Sequence, residues 1–306
     1  MSISSNHASR GKYAPRYWPT WAGLGLLWCL IHLPYRWQLG VGRFIGRQVI
    51  RIAGRRRHIA STNLRLCFPE LGEEEHQRLL ESYFESMGIG LLEMGMSWWA
   101  PSRKLEKLAR IDGLQYLEKA LEEGKGAILL SGHFTTMEIG GRLLSMHAPF
   151  QVLYRKQKNQ AIEAVMKKGR DRFTHKAILR DDLLAMRRSL RENIPVWYAP
   201  DQDFGLDKSV FVPFFGILAI TITATSRLAR ASGAPVVPFF QKRLPGAAGY
   251  QLNLYPALEN FPSDDIEHDT RRINEIIEAR IRETPEQYLW AHRRFRTRPA
   301  GDAPLY

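Results

Sequence analysis

Gly126-Ala127-Ile128-Leu129-Leu130-Ser131-Gly132-His133-Phe134-Thr135-Thr136-Met137-Glu138 is the stretch on which the fold turns. An unbroken apolar run ends at Ser131-Gly132, and helix-forming residues resume a few positions later. A short continuous apolar run suits a strand covered on both faces, whereas a half-exposed strand would alternate. The same texture recurs on either side. Candidate strands are Ala127–Ser131, Gln151–Tyr154, Ala177–Leu179, Val196–Ala199, Val236–Gln241 and Tyr250–Tyr255. Between them lie candidate helices at Thr136–Met146, Gln160–Phe173, Asp182–Glu192, Thr221–Ala231 and Ile266–Arg282, preceded by a longer one over Glu73–Trp99. Strands alternating with helices predict an α/β layered domain around a mainly parallel sheet.

In such sheets ligands bind beyond the carboxyl ends of the strands, and His133 stands at one such end. Glu138 follows five residues later. On a continuous helix the two side chains would point about 140° apart. They converge only if His133 lies in a loop, Glu138 in the first helical turn, with Gly132 turning the chain and Thr135 or Thr136 as the N-cap. A carboxylate at one imidazole nitrogen fixes the tautomer and leaves the other nitrogen to take a proton from a hydroxyl. This pattern makes His133 a candidate general base and Glu138 its orienting carboxylate. Thr135-x-x-Glu138 also fits a capping box, in which Glu138 would only satisfy a backbone N–H. No G-x-S-x-G, H-E-x-x-H, phosphate loop or complete G-x-G-x-x-G is present. Cys29 and Cys67 lack metal-ligand spacing and lie far in sequence from His133, which disfavours an acyl-cysteine intermediate. Neither a cofactor nor a metal is called for.

The net charge of +13 is unevenly placed. From Met1 to Pro69 there are eleven Lys or Arg and no Asp or Glu, while the remaining 33 basic and 31 acidic residues nearly cancel. A basic arm of this kind attaches to nucleic acid or to an anionic bilayer, and its apolar content favours the bilayer. Tyr17 to Tyr35 carry no formal charge, and their apolar centre, Trp21–Leu33, falls short of the roughly 20 residues of a comfortable span. Trp18, Trp21 and Trp28 suit the membrane interface. Arg36–Ala53 reads as a basic amphipathic helix, with Arg43, Arg47 and Arg51 on one side and Phe44, Ile45, Val49 and Ile52 on the other. Residues 1–69 are therefore expected to be a membrane-attachment arm (a short anchor or embedded helix over about 17–35, the amphipathic helix over about 36–53). Residues 70–306 are expected to form the catalytic domain, on the cytoplasmic side.

Several longer segments carry a resemblance to a known family. They include Tyr13–Trp21, Asn63–Glu70, Gly132–Glu138, Asp201-Gln-Asp-Phe-Gly205, Val210-Phe-Val-Pro213 and Pro285–Pro299. Together they resemble the lipid A biosynthesis acyltransferases of Gram-negative bacteria, within the lysophospholipid acyltransferase superfamily, and look closest to the lauroyl-transferring branch. The resemblance implies transfer of a fatty acyl chain from the thioester of acyl carrier protein. The acceptor would be the hydroxyl of a 3-hydroxyacyl chain on a Kdo-bearing tetraacyl precursor. It implies an inner-membrane enzyme whose partners are acyl carrier protein, the lipid A precursor and anionic lipid, not nucleic acid. It also implies that Arg170 and Asp201 belong to the substrate site, and more weakly Arg155. Where the family often reads Tyr-Arg-Pro, this chain has Tyr154-Arg155-Lys156. The rival within the superfamily is a lysophospholipid or glycolipid acyltransferase using acyl-CoA. Phe211, Phe214, Phe215 and Ile217 could line an acyl tunnel, though such residues are more often simply core, and none is assigned as a chain-length ruler.

Overall fold

The architecture comes from a computed structural model, which describes residues 11–154, 156–173, 176–179 and 182–306. Four helices come first: α1 (Trp18–Leu30), α2 (Tyr35–Ile52), α3 (Gly54–Cys67) and α4 (Glu73–Trp99), followed by the short α5 (Ser102–Glu106). The α/β part then runs β1 (Ala109–Asp112), α6 (Leu114–Glu122), β2 (Ile128–Leu130), α7 (Met137–Leu144), β3 (Gln151–Tyr154), α8 (Gln160–Arg170), β4 (Lys176–Leu179), α9 (Leu183–Arg191) and β5 (Val196–Tyr198). It closes with β6 (Ser209–Phe214), β7 (Ile217–Ile222), α10 (Ala224–Ser232), β8 (Val236–Arg243), β9 (Tyr250–Leu254) and α11 (Ile266–Glu283).

Seven strands form one sheet in the order β1-β9-β8-β2-β5-β3-β4. Every neighbouring pair is parallel except β8 with β9, so the expected mainly parallel α/β sheet is present. β2 is central, flanked by β8 and β5, with Ile128, Leu129 and Leu130 all buried. Ile128 and Leu130 pack into the core formed with α3, α10 and α11. Leu129 faces the opposite core, shared with α1, α4, α6 and α7. Coverage on both faces is the physical reason that β2 reads as a continuous apolar run.

Several parts escaped the sequence reading, among them α3, α6, β1 and the β6–β7 hairpin. β1 is an edge strand whose Ala-Arg-Ile-Asp carries too little apolar signal to stand out. β6 and β7 form a hairpin joined by Phe215 and Gly216, both in the left-handed region, as a two-residue hairpin turn demands. The hairpin takes Thr221 and Ile222, so the helix expected from Thr221 begins at Ala224. Phe214 and Phe215 go into the core.

The N-terminal helices pack on the α/β body. α2 crosses α4 with almost no gap: a Cβ added at Gly88 would stand 2.1 Å from the Gly42 carbonyl and 2.5 Å from the Gly46 nitrogen. The stripe of α2 buried in the protein is thus Gln38, Leu39, Gly42 and Gly46. Phe44 and Ile52 point outward, and Arg43 and Arg47 reach Glu85 on α4. Among the described residues no helix is long and apolar enough to cross a membrane.

Gly88→Ala should lower stability by about 1–3 kcal/mol through forced separation of α2 and α4, read as a drop in the chemical-denaturation midpoint. Gly23→Ala, where an added Cβ meets nothing within 4 Å, is the control and should shift stability by no more than about 1 kcal/mol.

Candidate active site

β2 and β5 are parallel neighbours, so their carboxyl ends lie side by side and deliver His133 and Asp201 to one place. Asp201 is fully buried and holds His133 twice. Its Oδ2 accepts the His133 backbone N–H at 2.8 Å, and its Oδ1 accepts from the ring Nδ1 at 2.6 Å. Burial alone would raise the Asp201 carboxyl. The His133 ring, the His133 N–H and the Tyr288 hydroxyl outweigh it and bring the group down to about 2. With an ionised carboxylate at Nδ1, the ring carries its proton there, and Nε2 is the basic nitrogen.

The carboxylate at His133 is therefore Asp201, where the sequence pattern pointed to Glu138. His133 does lie in the loop after β2, and Glu138 in the first turn of α7 as its second residue. From that position Glu138 faces α4 and α8. Its Oε1 accepts from Trp98 Nε1 at 2.9 Å and from Arg170 Nε at 2.9 Å, and its Oε2 accepts from Arg170 Nη2 at 2.5 Å. A two-pronged guanidinium–carboxylate pair is directional as well as strong. Burial opposes the charge on Arg170, but the Glu138 carboxylate more than compensates and raises it. No capping box forms. Thr135 Oγ1 pairs with Ser86 Oγ at 2.8 Å, and the side chain of Thr136, the N-cap residue, makes no capping bond.

His133, Glu138 and Arg170 line one cavity of about 380 Å³. Its apolar wall includes Phe150, Val152, Trp197, Phe204 and Ile222, with Gln202 and Tyr154 adding polar groups. Asp201 lies beneath His133 rather than in the wall. Arg155 is outside the described residues. Of the expected tunnel residues, Phe211, Phe214, Phe215 and Ile217 do not line this cavity; Phe204 and Ile222 hold that place. Lys158, Lys167 and Lys168 are exposed, and Lys167 pairs with Asp171, whereas Arg170 turns inward to the cavity. Cys67 is buried, and its thiol is raised chiefly by that burial; neither cysteine reaches the cavity. Among the described residues no trio of His, Cys, Asp or Glu is arranged to hold a metal.

The C-terminal segment supplies support that motif reading did not assign. Leu289 N–H donates to the His133 carbonyl at 2.9 Å, and Thr135 N–H to the Gln287 carbonyl at 2.7 Å, clamping the loop from outside the sheet. Tyr288 faces Asp201. The Arg294 guanidinium is buried over the Phe214 ring and donates to the Ile220 carbonyl and Thr221 Oγ1. His292 Nε2 accepts the Asp203 N–H at 3.0 Å, while Asp203 in turn binds Arg296 and Thr297. Only their place within one recurring segment hinted at these residues; their partners are far away in sequence.

A family model described as bacterial lipid A biosynthesis acyltransferase matches residues 6–297. The chain belongs to the bacterial lipid A biosynthesis acyltransferases. It is 41% identical over 295 residues to the lipid A biosynthesis lauroyltransferase of Escherichia coli (strain K12), covering 95% of this chain and 96% of that one. It is 38% identical to the lipid A biosynthesis palmitoleoyltransferase of the same organism, covering 97% of each. A lipid A biosynthesis acyltransferase of Haemophilus influenzae is 32% identical over 295 residues, 95% of this chain and 94% of that one. The chain is thus an enzyme, an acyltransferase of lipid A biosynthesis, and the family assignment agrees with the resemblance read from its motifs.

One prediction concerns pH. Burial keeps His292 neutral and lowers it from 6.5 to about 4. Below 6.5 the unfolded chain takes a proton that the folded chain refuses, so stability is full above 6.5, falls as pH drops toward about 4, and levels off beneath. His292→Gln keeps an acceptor for the Asp203 N–H but does not titrate. Its urea midpoint should fall less steeply than that of the unaltered protein across that window, and an unchanged slope would exclude His292 as the source.

Proposed function

We propose that this acyltransferase moves laurate from the thioester of acyl carrier protein to the 3-hydroxyacyl hydroxyl of a Kdo-bearing tetraacyl lipid A precursor, at the cytoplasmic face of the bacterial inner membrane. The observation that carries the reading is His133, held at Nδ1 and at its own backbone by the buried Asp201, beside a cavity with an apolar wall. His133 Nε2 takes the acceptor hydroxyl proton, and the oxygen attacks the thioester carbonyl carbon. When the C–S bond breaks, the leaving sulfur takes the proton back from the imidazolium. Direct transfer of this kind needs no acyl-enzyme. The Asp201 carboxylate stabilises the imidazolium between the two steps. The His133 N–H is committed to Asp201, so oxyanion donors must come from elsewhere. In this reading the Glu138–Arg170 pair fixes a cation at the cavity wall for the acceptor, and the apolar wall receives an acyl chain. The 41% identity to a lauroyltransferase supports laurate as the chain.

The N-terminal helices supply the attachment. Trp18, Leu26, Trp28, Trp37, Phe44 and Ile52 are exposed on α1 and α2. α1 has 13 residues, a length of about 20 Å, against a hydrocarbon layer of about 30 Å. Leu24 and Leu27 are buried, with Leu27 and Ile31 against Gly95 of α4, so the helix is fastened to the body. An interfacial seat in one leaflet, with the arginines among anionic head groups, fits this geometry better than a crossing.

Assays of acyl transfer from lauroyl-carrier protein to the tetraacyl precursor should show His133→Ala reduced by about 10²–10⁴. Asp201→Asn should fall by roughly 10² or more, because the tautomer is no longer enforced. Glu138→Ala and Arg170→Ala should each lose at least about tenfold, since either leaves a partly buried charge without its partner. Full transfer by His133→Ala would overturn the mechanism, and transfer from lauroyl-CoA alone would overturn the donor. Replacing Trp18, Trp28 and Trp37 together by Ser should weaken co-sedimentation with phosphatidylglycerol vesicles by roughly tenfold or more while leaving the fold intact. Unchanged co-sedimentation would remove α1 and α2 from the interface.

A further inference from the structure

A second cavity, of about 630 Å³, opens beside the reaction cavity and shares Phe173 with it. Gly141, Phe150 and Arg170 line the first, while Arg142 and Pro149, next in chain to the first two, and Arg172, two residues beyond the third, line the second. Its polar groups include Ser102, Ser145, His147 and the two arginines, with Glu106 as its carboxylate.

Arg142 is the unusual member. It extends from the last turn of α7 and is only partly exposed. Nη2 donates to Ser102 Oγ at 2.6 Å, and the guanidinium carbon stands 5.1 Å from the Phe173 ring centre. The fork is therefore aimed before any ligand arrives. Among the described residues no carboxylate comes within ion-pair distance of Arg142 or Arg172; Glu106 acts on Arg142 only through the longer-range field. Sheltering a cation without a contacting anion is costly, and desolvation already lowers Arg142. A rigid guanidinium, a neighbouring exposed arginine and the Ser102 hydroxyl make a set of donors suited to a phosphate; the Ser145 hydroxyl donates to the Arg142 carbonyl at 2.7 Å.

The location fits a lipid head group. Ser102 begins α5, and Lys104 of the same helix donates to the Ile31 carbonyl at the end of α1 at 3.1 Å. The helix that gives Ser102 to the cavity thus also touches the end of α1, one of the helices that carry the exposed tryptophans.

We propose that Arg142 and Arg172, with Ser102, form a phosphate subsite. It would hold a phosphomonoester of the acceptor's head group while the acceptor's hydroxyacyl chain lies against His133. This rests on the lipid acceptor proposed above. The subsite would set the acceptor's register, so its arginines are positioning and specificity residues that leave the proton transfer itself alone.

The test is equilibrium binding to detergent-solubilised full-length protein. The tetraacyl acceptor would be compared with its phosphates intact and with each phosphate removed in turn. The unaltered protein should bind one of the dephosphorylated forms roughly tenfold more weakly, the effect of losing a charge-assisted fork. Arg172→Ala, at an exposed position where folding is not at stake, and Arg142→Lys, which keeps charge but loses the fork, should each remove most of that preference. Both should bind the weaker dephosphorylated form like the unaltered protein. Inorganic phosphate should compete with the intact acceptor and not with that form; competition against both equally would place free phosphate elsewhere and overturn the subsite. So would the absence of any preference, or variants that weaken all acceptors alike. Acyl transfer measured on the same preparations separates the two readings: transfer without the preference removes the subsite alone, and preference without transfer removes the proposed reaction alone.

Discussion

The site depends on one buried carboxylate gripping a loop at two points. Asp201 accepts both the backbone N–H and the ring N–H of His133, so the position of the loop and the tautomer of the imidazole are fixed by the same charge. Such an anion survives burial only where donors surround it, and here the His133 backbone, the His133 ring and the Tyr288 hydroxyl provide them. The parallel pairing of β2 with β5 is what brings the pieces within reach. Much else near the site holds this arrangement in place. The Gln287–Leu289 segment clamps the loop, and Arg294, buried beneath, anchors the hairpin.

The second charged pair does different work. Glu138 and Arg170 come from α7 and α8, and Trp98 at the end of α4 fixes the carboxylate from the side. α4 therefore joins both halves of the molecule. Its middle receives α2 at the Gly42, Gly46 and Gly88 crossing, and its end reaches Glu138 at the wall of the His133 cavity. A deeper network runs the same way: Arg243 on β8 binds Glu93 and Ser86 of α4, and Ser86 meets Thr135 in the loop after β2. Glu93 also accepts from the Tyr250 hydroxyl, so its charge is satisfied from two directions. In mechanical terms, the helices that carry the exposed tryptophans and the loop that carries His133 are fastened to one long helix.

The N-terminal helices show what periodicity marks and what it omits. Arg43, Arg47 and Arg51 share a side, as their spacing requires, and the stripe buried in the protein is Gln38, Leu39, Gly42 and Gly46. Glycine carries no hydrophobic signal, yet it permits the closest backbone approach, and close approach is what buries α2 against α4. The large apolar residues left over face outward. A hydrophobic pattern marks apolar side chains without saying whether protein or lipid covers them.

The sequence by itself determined the α/β class, the long helix over Glu73–Trp99, the central strand, and the turn that presents His133. These follow from local regularities: continuous apolar runs, helical spacing and a glycine at a strand end. The motif set, spread along almost the whole chain, was enough to place it in its family. The tertiary structure alone decided which carboxylate serves His133. Glu138 was near in sequence and Asp201 was distant, and adjacency of strand ends prevailed over adjacency in the chain. It also decided that Tyr288, His292 and Arg294 support the site, because a contact between residues far apart in sequence leaves no periodic trace in either segment.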